Sequence, residues 1–364
     1  MRILGIETSC DETAAAIVED GSRLISNVVA TQIDIHKKYG GVVPEIAARS
    51  HIEVINPVID QALEEAGTDW DGIDAISVTN GPGLSGSLLI GTLAARTLAI
   101  TKQKPLYPVN HVTGHVYANF LVDPQPEFPM LALIVSGGHT QLALFHSHLE
   151  YRLLGQTQDD AVGEAYDKVA KILGLPYPGG PSIERTAPKG DPNTYRLPKA
   201  KMPMREIEIP SAWVAGATET PYRVRNSYDF SFSGLKTAVL RRVQAEAGKS
   251  HDFPSFELSA LLNERQVNDF AASFNKLAIE TLVDKTVLAY EEFQPKSVVI
   301  AGGVAASQEL RKQLQEAIPL NINYAAPSLC TDNAAMIAAL GYYEAQRSEP
   351  ANPHTVRVEP NLKM

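Results

Sequence analysis

The sequence has few cysteines, no long hydrophobic run and no excess of positive charge. Its two cysteines, Cys10 and Cys330, are far apart in a chain of 364 residues, which is typical of a reducing compartment and not of a disulfide-stabilised domain. No segment approaches the ~20 consecutive apolar residues of a transmembrane helix. The apolar run at the N-terminus is too short for a signal peptide. These absences predict a cytoplasmic protein that does not enter a membrane.

The net charge of −10 argues against a protein that coats nucleic acid through bulk electrostatics, because such domains are usually basic. It leaves open a local basic region, or a basic partner that makes most of the phosphate contacts. Hydrophobic residues make up 44% of the chain and charged residues 20%, which is ordinary for a globular protein. The length suits two α/β lobes.

One order of predicted elements occurs twice along the chain. The first half contains predicted strands at 3–7, 14–19, 24–31 and 73–79 and helices at 44–66 and 85–100. The second half contains strands at 131–135, 140–145, 151–156 and 297–301, a helix that includes 167–173 and ends near Gly174, and a helix from about 307. The repeat predicts a duplicated α/β fold with two lobes that face a nucleotide cleft.

The expected domain boundaries follow from this repeat. Residues 1–110 form the N-terminal lobe, to which part of the C-terminal helices is added, and residues 111–346 form the C-terminal lobe. An insertion at about 176–228 is rich in proline, glycine, arginine and lysine, and both a solvated loop and an RNA-facing surface remain open for it. Residues 347–364 are expected to be a flexible tail.

Turns of glycine and other small residues follow several predicted strands, at 8–11, 80–83, 136–139 and 302–303. Ligands of α/β sheets bind at the carboxyl ends of strands, where glycine lets backbone N–H groups approach a phosphate. Any one of these turns is equally well explained as a tight turn. Their equivalent places in the two halves favour a nucleotide cleft.

A histidine pair suggests a metal site. His111 and His115 are spaced i, i+4, so on a helix they lie on one face and can share a metal ion, although such pairs also occur without one. Asp332 precedes a helical run and is either a third ligand or a helix cap. Two histidines and a carboxylate with open positions are typical of non-heme Fe(II) and catalytic Zn(II) sites. A zinc peptidase would need a glutamate at Val112, so that class is disfavoured.

Two acids, Asp11 and Glu12, lie in the first turn of the chain. A carboxylate there can act as a general base or bind a cation. It can equally stabilise the hairpin, because aspartate favours turns. Spacing alone favours the hairpin role.

A series of motifs resembles the TsaD family of tRNA N6-adenosine threonylcarbamoyltransferases, in order and up to about residue 345. They are GIETSCDET at 5–13, HVTGH at 111–115, VSGGHT at 135–140, DK at 167–168, YPGGP at 177–181, DFSFSGLK at 229–236, AGGV at 301–304 and CTDN at 330–333. The resemblance implies the fold class of actin, Hsp70 and the acetate and sugar kinases, called ASKHA.

The resemblance also implies a reaction and its partners. The family transfers a threonylcarbamoyl group from threonylcarbamoyl-adenylate to N6 of an adenosine, with release of AMP. The target is the adenosine directly 3′ of the anticodon in tRNAs that read codons beginning with A. The bacterial enzyme works with a paralogous TsaB-like subunit of the same fold and a small TsaE-like ATPase.

By position in these motifs, His111, His115 and Asp332 resemble the family's ligands for one divalent metal, with Fe(II) the usual assignment and Zn(II) the alternative. Asp11 and Glu12 occupy the positions of acids implicated in the transfer. The expected adenylate contacts are Ile134, Val135, Ser136, Gly137, Gly138, Asp167, Gly180, Glu184 and Ser307. At Ser307 the family usually has asparagine, and at Glu184 it commonly has aspartate.

Two other functions fit the same fold. An ATP-dependent small-molecule kinase or ATPase would need a carboxylate site for Mg²⁺, and it leaves the His111–His115 pair unexplained. A non-catalytic scaffold could discard the three metal ligands, and their retention argues against it.

Overall fold

The computed structural model describes residues 1–214, 216–218 and 220–364. These residues form two compact units, each with its own sheet. Unit 1 comprises Met1–Pro126 and Asn323–Met364, and unit 2 comprises Glu127–Ile322.

Both units contain strands and helices. The strands are β1 Arg2–Glu7, β2 Glu12–Glu19, β3 Arg23–Thr31, β4 Ala75–Gly81, β5 Leu106–Asn110, β6 Met130–Val135, β7 Thr140–Ser147, β8 Glu150–Gln156, β9 Arg205–Ile209, β10 Tyr222–Asn226, β11 Ser297–Ala301 and β12 Ile322–Tyr324. The helices are α1 Ile33–His36, α2 Pro44–Glu65, α3 Ser85–Lys102, α4 His111–Tyr117, α5 Val162–Ile172, α6 Gly179–Thr186, α7 Ser233–Glu246, α8 Glu264–Phe293, α9 Gln308–Ala317, α10 Pro327–Cys330 and α11 Ala334–Ala345.

The two large sheets have the same topology. Their strand orders are β3-β2-β1-β4-β5 and, read from the matching edge, β8-β7-β6-β11-β12. In each sheet, the first three strands form an antiparallel meander, and the first strand pairs in parallel with the fourth. This repeated topology confirms the predicted duplicated, actin-like α/β fold.

In unit 1, the parallel strands β1, β4 and β5 end at one edge of the sheet. The turn after β1, the turn after β4 and the start of α4 therefore lie along that edge. Helix α11 packs across this sheet and is buried from Ala334 to Leu340. Its approach depends on Gly5, because a Cβ there would lie 2.4 Å from the carbonyl oxygen of Ala334. The strand and helix thus meet backbone to backbone.

The structure places the unit boundary later than the sequence analysis did. Residues 111–126, expected in the C-terminal lobe, belong to unit 1. The reason is that α4 continues directly from β5 and packs on α11 of the same unit. The insertion at 176–228 lies within unit 2 and contains α6 and an antiparallel ribbon of β9 and β10.

The C-terminal segment 347–364, expected to be flexible, packs on unit 1. Val356 is buried in the core of this unit. The Arg96 guanidinium donates to the carbonyl oxygens of Pro353 and His354, at 2.5 and 3.0 Å. The Glu359 N–H donates to the Asn80 carbonyl at 2.7 Å. The composition of the segment could not show these contacts, because the partners are distant in sequence.

Among the described residues, no helix combines the length and the apolar character that crossing a membrane requires.

Candidate metal centre

The two histidines are held at the start of α4. The Asn110 side chain caps this helix by accepting from the N–H groups of Val112 and Thr113, at 2.8 and 3.1 Å. This cap fixes the first turn of the helix. His111 and His115 then lie on the same buried face, with ring centroids 4.7 Å apart. The sequence spacing therefore produces the predicted pair.

Asp332 completes a cluster with this pair. Its Oδ1 lies 3.2 Å from Nε2 of His115 and 3.6 Å from Nε2 of His111. The three ligand atoms lie within 4.8 Å of one another. The cap of α11 is Asn333, whose side chain accepts from the Met336 N–H at 3.1 Å. The alternative that Asp332 caps the helix is thus wrong, and its carboxylate faces the histidines.

The cluster fits a divalent transition metal. His115 is 1% exposed, and its two ring nitrogens have no hydrogen-bond partner among the residues that the structure describes. Its Nε2 is near Asp332 without the alignment of a hydrogen bond. Buried polar atoms without partners are rare, and two imidazoles with one carboxylate are a common set of metal ligands.

The electrostatic field at the cluster also favours a cation. Burial would lower the pKa of His111, but the carboxylates of Glu7 and Asp332 outweigh it and raise the pKa to about 9. Glu7 is fully buried, and its Oε2 lies 3.0 Å from Nδ1 of His111. Sequence reasoning did not single out Glu7. The sequence feature that could have identified Glu7 is a carboxylate at the end of a predicted buried strand.

The acidic turn lies in the same unit. Burial, together with the negative charges of Asp332 and Asp11, raises the pKa of Glu12 to about 9. The Thr31 hydroxyl donates to the Glu12 carboxylate at 3.2 Å. Asp11 is 7% exposed, and its carbonyl accepts from the Gln32 N–H. The turn is thus held in place near the charge of Asp332.

The Cys10 carbonyl connects this turn to helices α2 and α3. It accepts from the Ser87 hydroxyl and from Nε2 of His51, each at 3.0 Å. His51 is fully buried, and its Nδ1 lies 2.7 Å from the Thr13 hydroxyl. Because a carbonyl only accepts, Nε2 of His51 carries the proton and Nδ1 accepts from Thr13.

The expected adenylate contacts all lie in unit 2 and form three local groups. In the first group, Ile134 and Val135 end β6, and Ser136 begins a turn in which the His139 N–H donates to its hydroxyl at 3.1 Å. Gly137 and Gly138 are exposed in this turn. Gly163, at the start of α5, packs on it, because a Cβ there would lie 2.5 Å from the Ser136 carbonyl. The start of α5 therefore packs directly against the backbone of this turn.

The second group is Asp167 and Gly180. The Asp167 carboxylate accepts from the Gly179 N–H at 2.7 Å, which ties α5 to the start of α6. The third group is Glu184 and Ser307 at the N-terminus of α9. Glu184 accepts from the Gln308 N–H at 2.8 Å, and the Ser307 hydroxyl accepts from the Leu310 N–H at 3.3 Å.

The duplicated sheets define an α/β protein with two structurally related units, and unit 1 contains a His–His–Asp cluster that could hold a metal ion. A family model described as TsaD, tRNA N6-adenosine threonylcarbamoyltransferase, matches residues 23–339. The chain belongs to this family, which confirms the resemblance seen in the sequence.

Relatives from several bacteria have this name. The tRNA N6-adenosine threonylcarbamoyltransferase of Thermomicrobium roseum is 48% identical over 97% of this chain and 94% of its own length. That of Symbiobacterium thermophilum is 51% identical over 94% and 91%. That of Dehalococcoides mccartyi is 50% identical over 94% and 93%.

Proposed function

We propose that this protein transfers a threonylcarbamoyl group from threonylcarbamoyl-adenylate to N6 of the adenosine 3′ of the anticodon. The tRNAs are those that read codons beginning with A. A bond forms between N6 and the carbamoyl carbon, the bond from that carbon to the phosphate oxygen breaks, and AMP leaves. The observation that carries the proposal is the His–His–Asp cluster in a chain of this family.

The residues that would hold the metal are His111, His115 and Asp332, and we propose Fe(II), with Zn(II) as the alternative. When bound, a divalent ion at this position supplies Lewis acidity and a fixed point for an oxygen of the substrate. The negative field described above supports the binding of a cation there.

The proton that N6 loses needs an acceptor. We assign this role to Asp11, with Glu12 beside it in the same anchored turn. The negative potential that raises the pKa of Glu12 also attracts the departing proton. The hydrogen bonds from Gln32, Ser87 and His51 hold the turn still, so little reorganisation is needed during the transfer.

The adenylate contacts are proposed for unit 2. The backbone N–H groups of Gly137 and Gly138, in the turn that begins at Ser136, suit a phosphate, because glycine leaves room for a close approach. Further contacts are proposed for Ile134, Val135, Asp167, Gly180, Glu184 and Ser307. Glu184 and Ser307 differ from the usual family residues, and both support the start of α9.

We also propose the tRNA, a TsaB-like subunit of the same fold and a small TsaE-like ATPase as partners. An exposed apolar stripe on the packed helices α2 and α3 supports the same-fold subunit. It consists of Ile52, Leu89, Leu93 and Ile100, which are 60%, 52%, 54% and 43% exposed. Such a stripe on neighbouring helices suits helix-to-helix association.

The deciding experiment measures transfer of labelled threonine from threonylcarbamoyl-adenylate to an unmodified tRNA, with the partner proteins present. We expect label in the tRNA with the parent, and a loss of at least about 100-fold in His111→Ala and Asp332→Ala, because each removes a ligand of the centre. His251→Ala and Asp252→Ala change exposed residues outside the cluster and should retain activity. No transfer by the folded, metal-loaded parent would refute the proposal.

A further inference from the structure

Glu7 is a buried carboxylate that the proposed transfer reaction does not use. It ends β1 and is fully buried. Burying a carboxylate costs free energy unless hydrogen bonds compensate for its lost hydration. Its Oε1 accepts from the Ser9 N–H at 2.5 Å, and its Oε2 accepts from the Thr79 hydroxyl at 2.6 Å. The carboxylate is therefore fixed before any contact with the histidines is counted.

The remaining contact is with the metal centre. Oε2 of Glu7 lies 3.0 Å from Nδ1 of His111. An ionised carboxylate can only accept, so the proton of this hydrogen bond belongs to Nδ1. Nε2 of His111, which faces Asp332 at 3.6 Å, then presents its lone pair. We propose that Glu7 is a positioning residue that fixes the tautomer and the ring orientation of His111 for metal binding. This inference rests on the proposed metal centre.

The neighbouring groups make the assignment specific. The Ser9 hydroxyl also lies near Nδ1 of His111, at 3.1 Å, but it is neutral and can either donate or accept. Of the two acceptors, only Glu7 has a negative charge that stabilises Nδ1–H and raises the basicity of Nε2. Among the described residues, Nδ1 of His115 has no hydrogen-bond partner. Glu7 therefore orients one histidine of the pair and not the other.

The position of Glu7 follows from the sheet. Strands β1 and β4 are parallel, and Ile6 pairs with Val78, so Glu7 and Thr79 are neighbours where the two strands end. His111 follows β5, the strand beside β4. The three strands thus bring the donor Thr79, the carboxylate and the imidazole to one edge. A substitution at Thr79 should weaken the arrangement less than one at Glu7, because the carboxylate remains.

The test measures metal affinity with the full chain. Co(II) is titrated into the metal-free parent, Glu7→Gln and Thr79→Val, and its dissociation constant is obtained by competition with a chelator. We expect Glu7→Gln to weaken binding by roughly 10–100-fold and Thr79→Val by less. Glu19→Gln is the matched control, because Glu19 ends β2 at the opposite edge of the sheet, and its affinity should equal the parent's.

A second measurement reads the tautomer directly. Nitrogen-15 NMR of histidine in the parent should show His111 protonated at Nδ1 and unprotonated at Nε2, in the presence of a diamagnetic ion such as Zn(II) and at neutral pH. A parent in which Nδ1 is unprotonated, or a folded Glu7→Gln with unchanged Co(II) affinity, overturns the inference. If Glu7→Gln does not fold, the NMR of the parent and the titration of Thr79→Val decide.

These outcomes are separable from those of the proposed function. A parent that binds Co(II) in a Glu7-dependent way but transfers no threonylcarbamoyl group retains this inference and loses the proposed reaction. If the parent transfers the group but the Glu7→Gln variant binds Co(II) as tightly as the parent, the proposed reaction is retained and this inference is lost.

Discussion

At the scale of single residues, unit 1 provides specific hydrogen-bond partners for a buried histidine beside the acidic turn. This histidine is His51. Both of its ring nitrogens form hydrogen bonds, one to Thr13 and one to the Cys10 carbonyl. Burial lowers its pKa below the usual 6.5, although the Cys10 carbonyl acts in the opposite direction. The residue is therefore held neutral where its hydrogen bonds need one protonated nitrogen and one bare nitrogen.

This pKa shift predicts a dependence of stability on pH. Above pH 6.5, His51 is neutral in the folded and unfolded chains, so it adds no slope. Below that value, the unfolded chain binds a proton that the folded chain does not. The free energy of unfolding therefore decreases as the pH is lowered, until the lower folded pKa is reached. His111 and Glu12, whose pKa values are raised to about 9, add slopes of the opposite sign in the same range. The slope of His51 is therefore obtained as the difference in denaturant unfolding between the parent and a His51 variant, from about pH 8 to about pH 5.

A variant identifies the group responsible. His51→Gln should lose the part of the slope that lies just below pH 6.5, while His354→Gln, at an exposed residue, should retain it. Equal slopes in His51→Gln and the parent would show that another group causes the pH dependence.

At the scale of elements, the metal centre depends on how closely α11 lies against β1. This helix is nearly all apolar, and its residues from Ala334 to Gly341 are all buried, which is typical of a helix at the centre of a domain. Asp332 precedes it by two residues, so the position of the helix sets the position of the carboxylate. Gly5 is what allows the close approach.

Gly5→Ala should therefore separate the two elements. The new Cβ would lie 2.4 Å from the Ala334 carbonyl oxygen and 2.6 Å from the Ala338 nitrogen, and backbone cannot yield as a side chain can. We expect a loss of about 2–3 kcal/mol in the free energy of unfolding, since overpacking typically costs about 1–3 kcal/mol. Weaker metal binding should accompany this loss.

Calorimetric thermal unfolding, with Co(II) titration beside it, measures both effects. Gly234→Ala is the control, because Gly234 lies in α7, and a Cβ there meets no atom within 4 Å. Its melting temperature should be unchanged or slightly raised, since alanine favours helix. A Gly5→Ala variant as stable as Gly234→Ala would mean that α11 can move away from β1 at little cost.

At the scale of the whole molecule, the apolar stripe on α2 and α3 is the surface that we propose for a same-fold partner. Leu89 and Leu93 are spaced i, i+4 on α3 and lie side by side in it. Full burial of each leucine is worth about 1.5–3 kcal/mol. The double variant Leu89→Lys with Leu93→Lys should therefore lose at least about 100-fold in affinity for the TsaB-like subunit.

Co-elution and calorimetric titration with the purified subunit test this expectation. Leu261→Lys, in unit 2, changes another exposed leucine and should bind like the parent. If the double variant still binds the subunit, the stripe is not the interface. If instead a dimer of this chain becomes monomeric in the double variant while subunit binding persists, the stripe joins two copies.

Much of the fold was predictable because the signals for it are local. The predicted strands and most helices are present with small shifts at their ends, since alternation, buried apolar runs and turn residues act over a few neighbours. Helix α5, Val162–Ile172, contains most of the segment 167–173 that was expected to be helical. The i, i+4 spacing of His111 and His115 was equally local, so their common helix face was predictable. The order of motifs was sufficient to identify the family.

The sequence by itself thus determined the duplicated α/β fold, the family and the histidine pair. Only the tertiary structure decided that Asn333, and not Asp332, caps α11, and that Glu7 lies behind His111. It also decided that residues 111–126 and the C-terminal segment belong to unit 1. The physical reason is distance along the chain. Glu7 and His111 are 104 residues apart, and such contacts arise only when separate strands assemble into one sheet and bring their ends to the same edge.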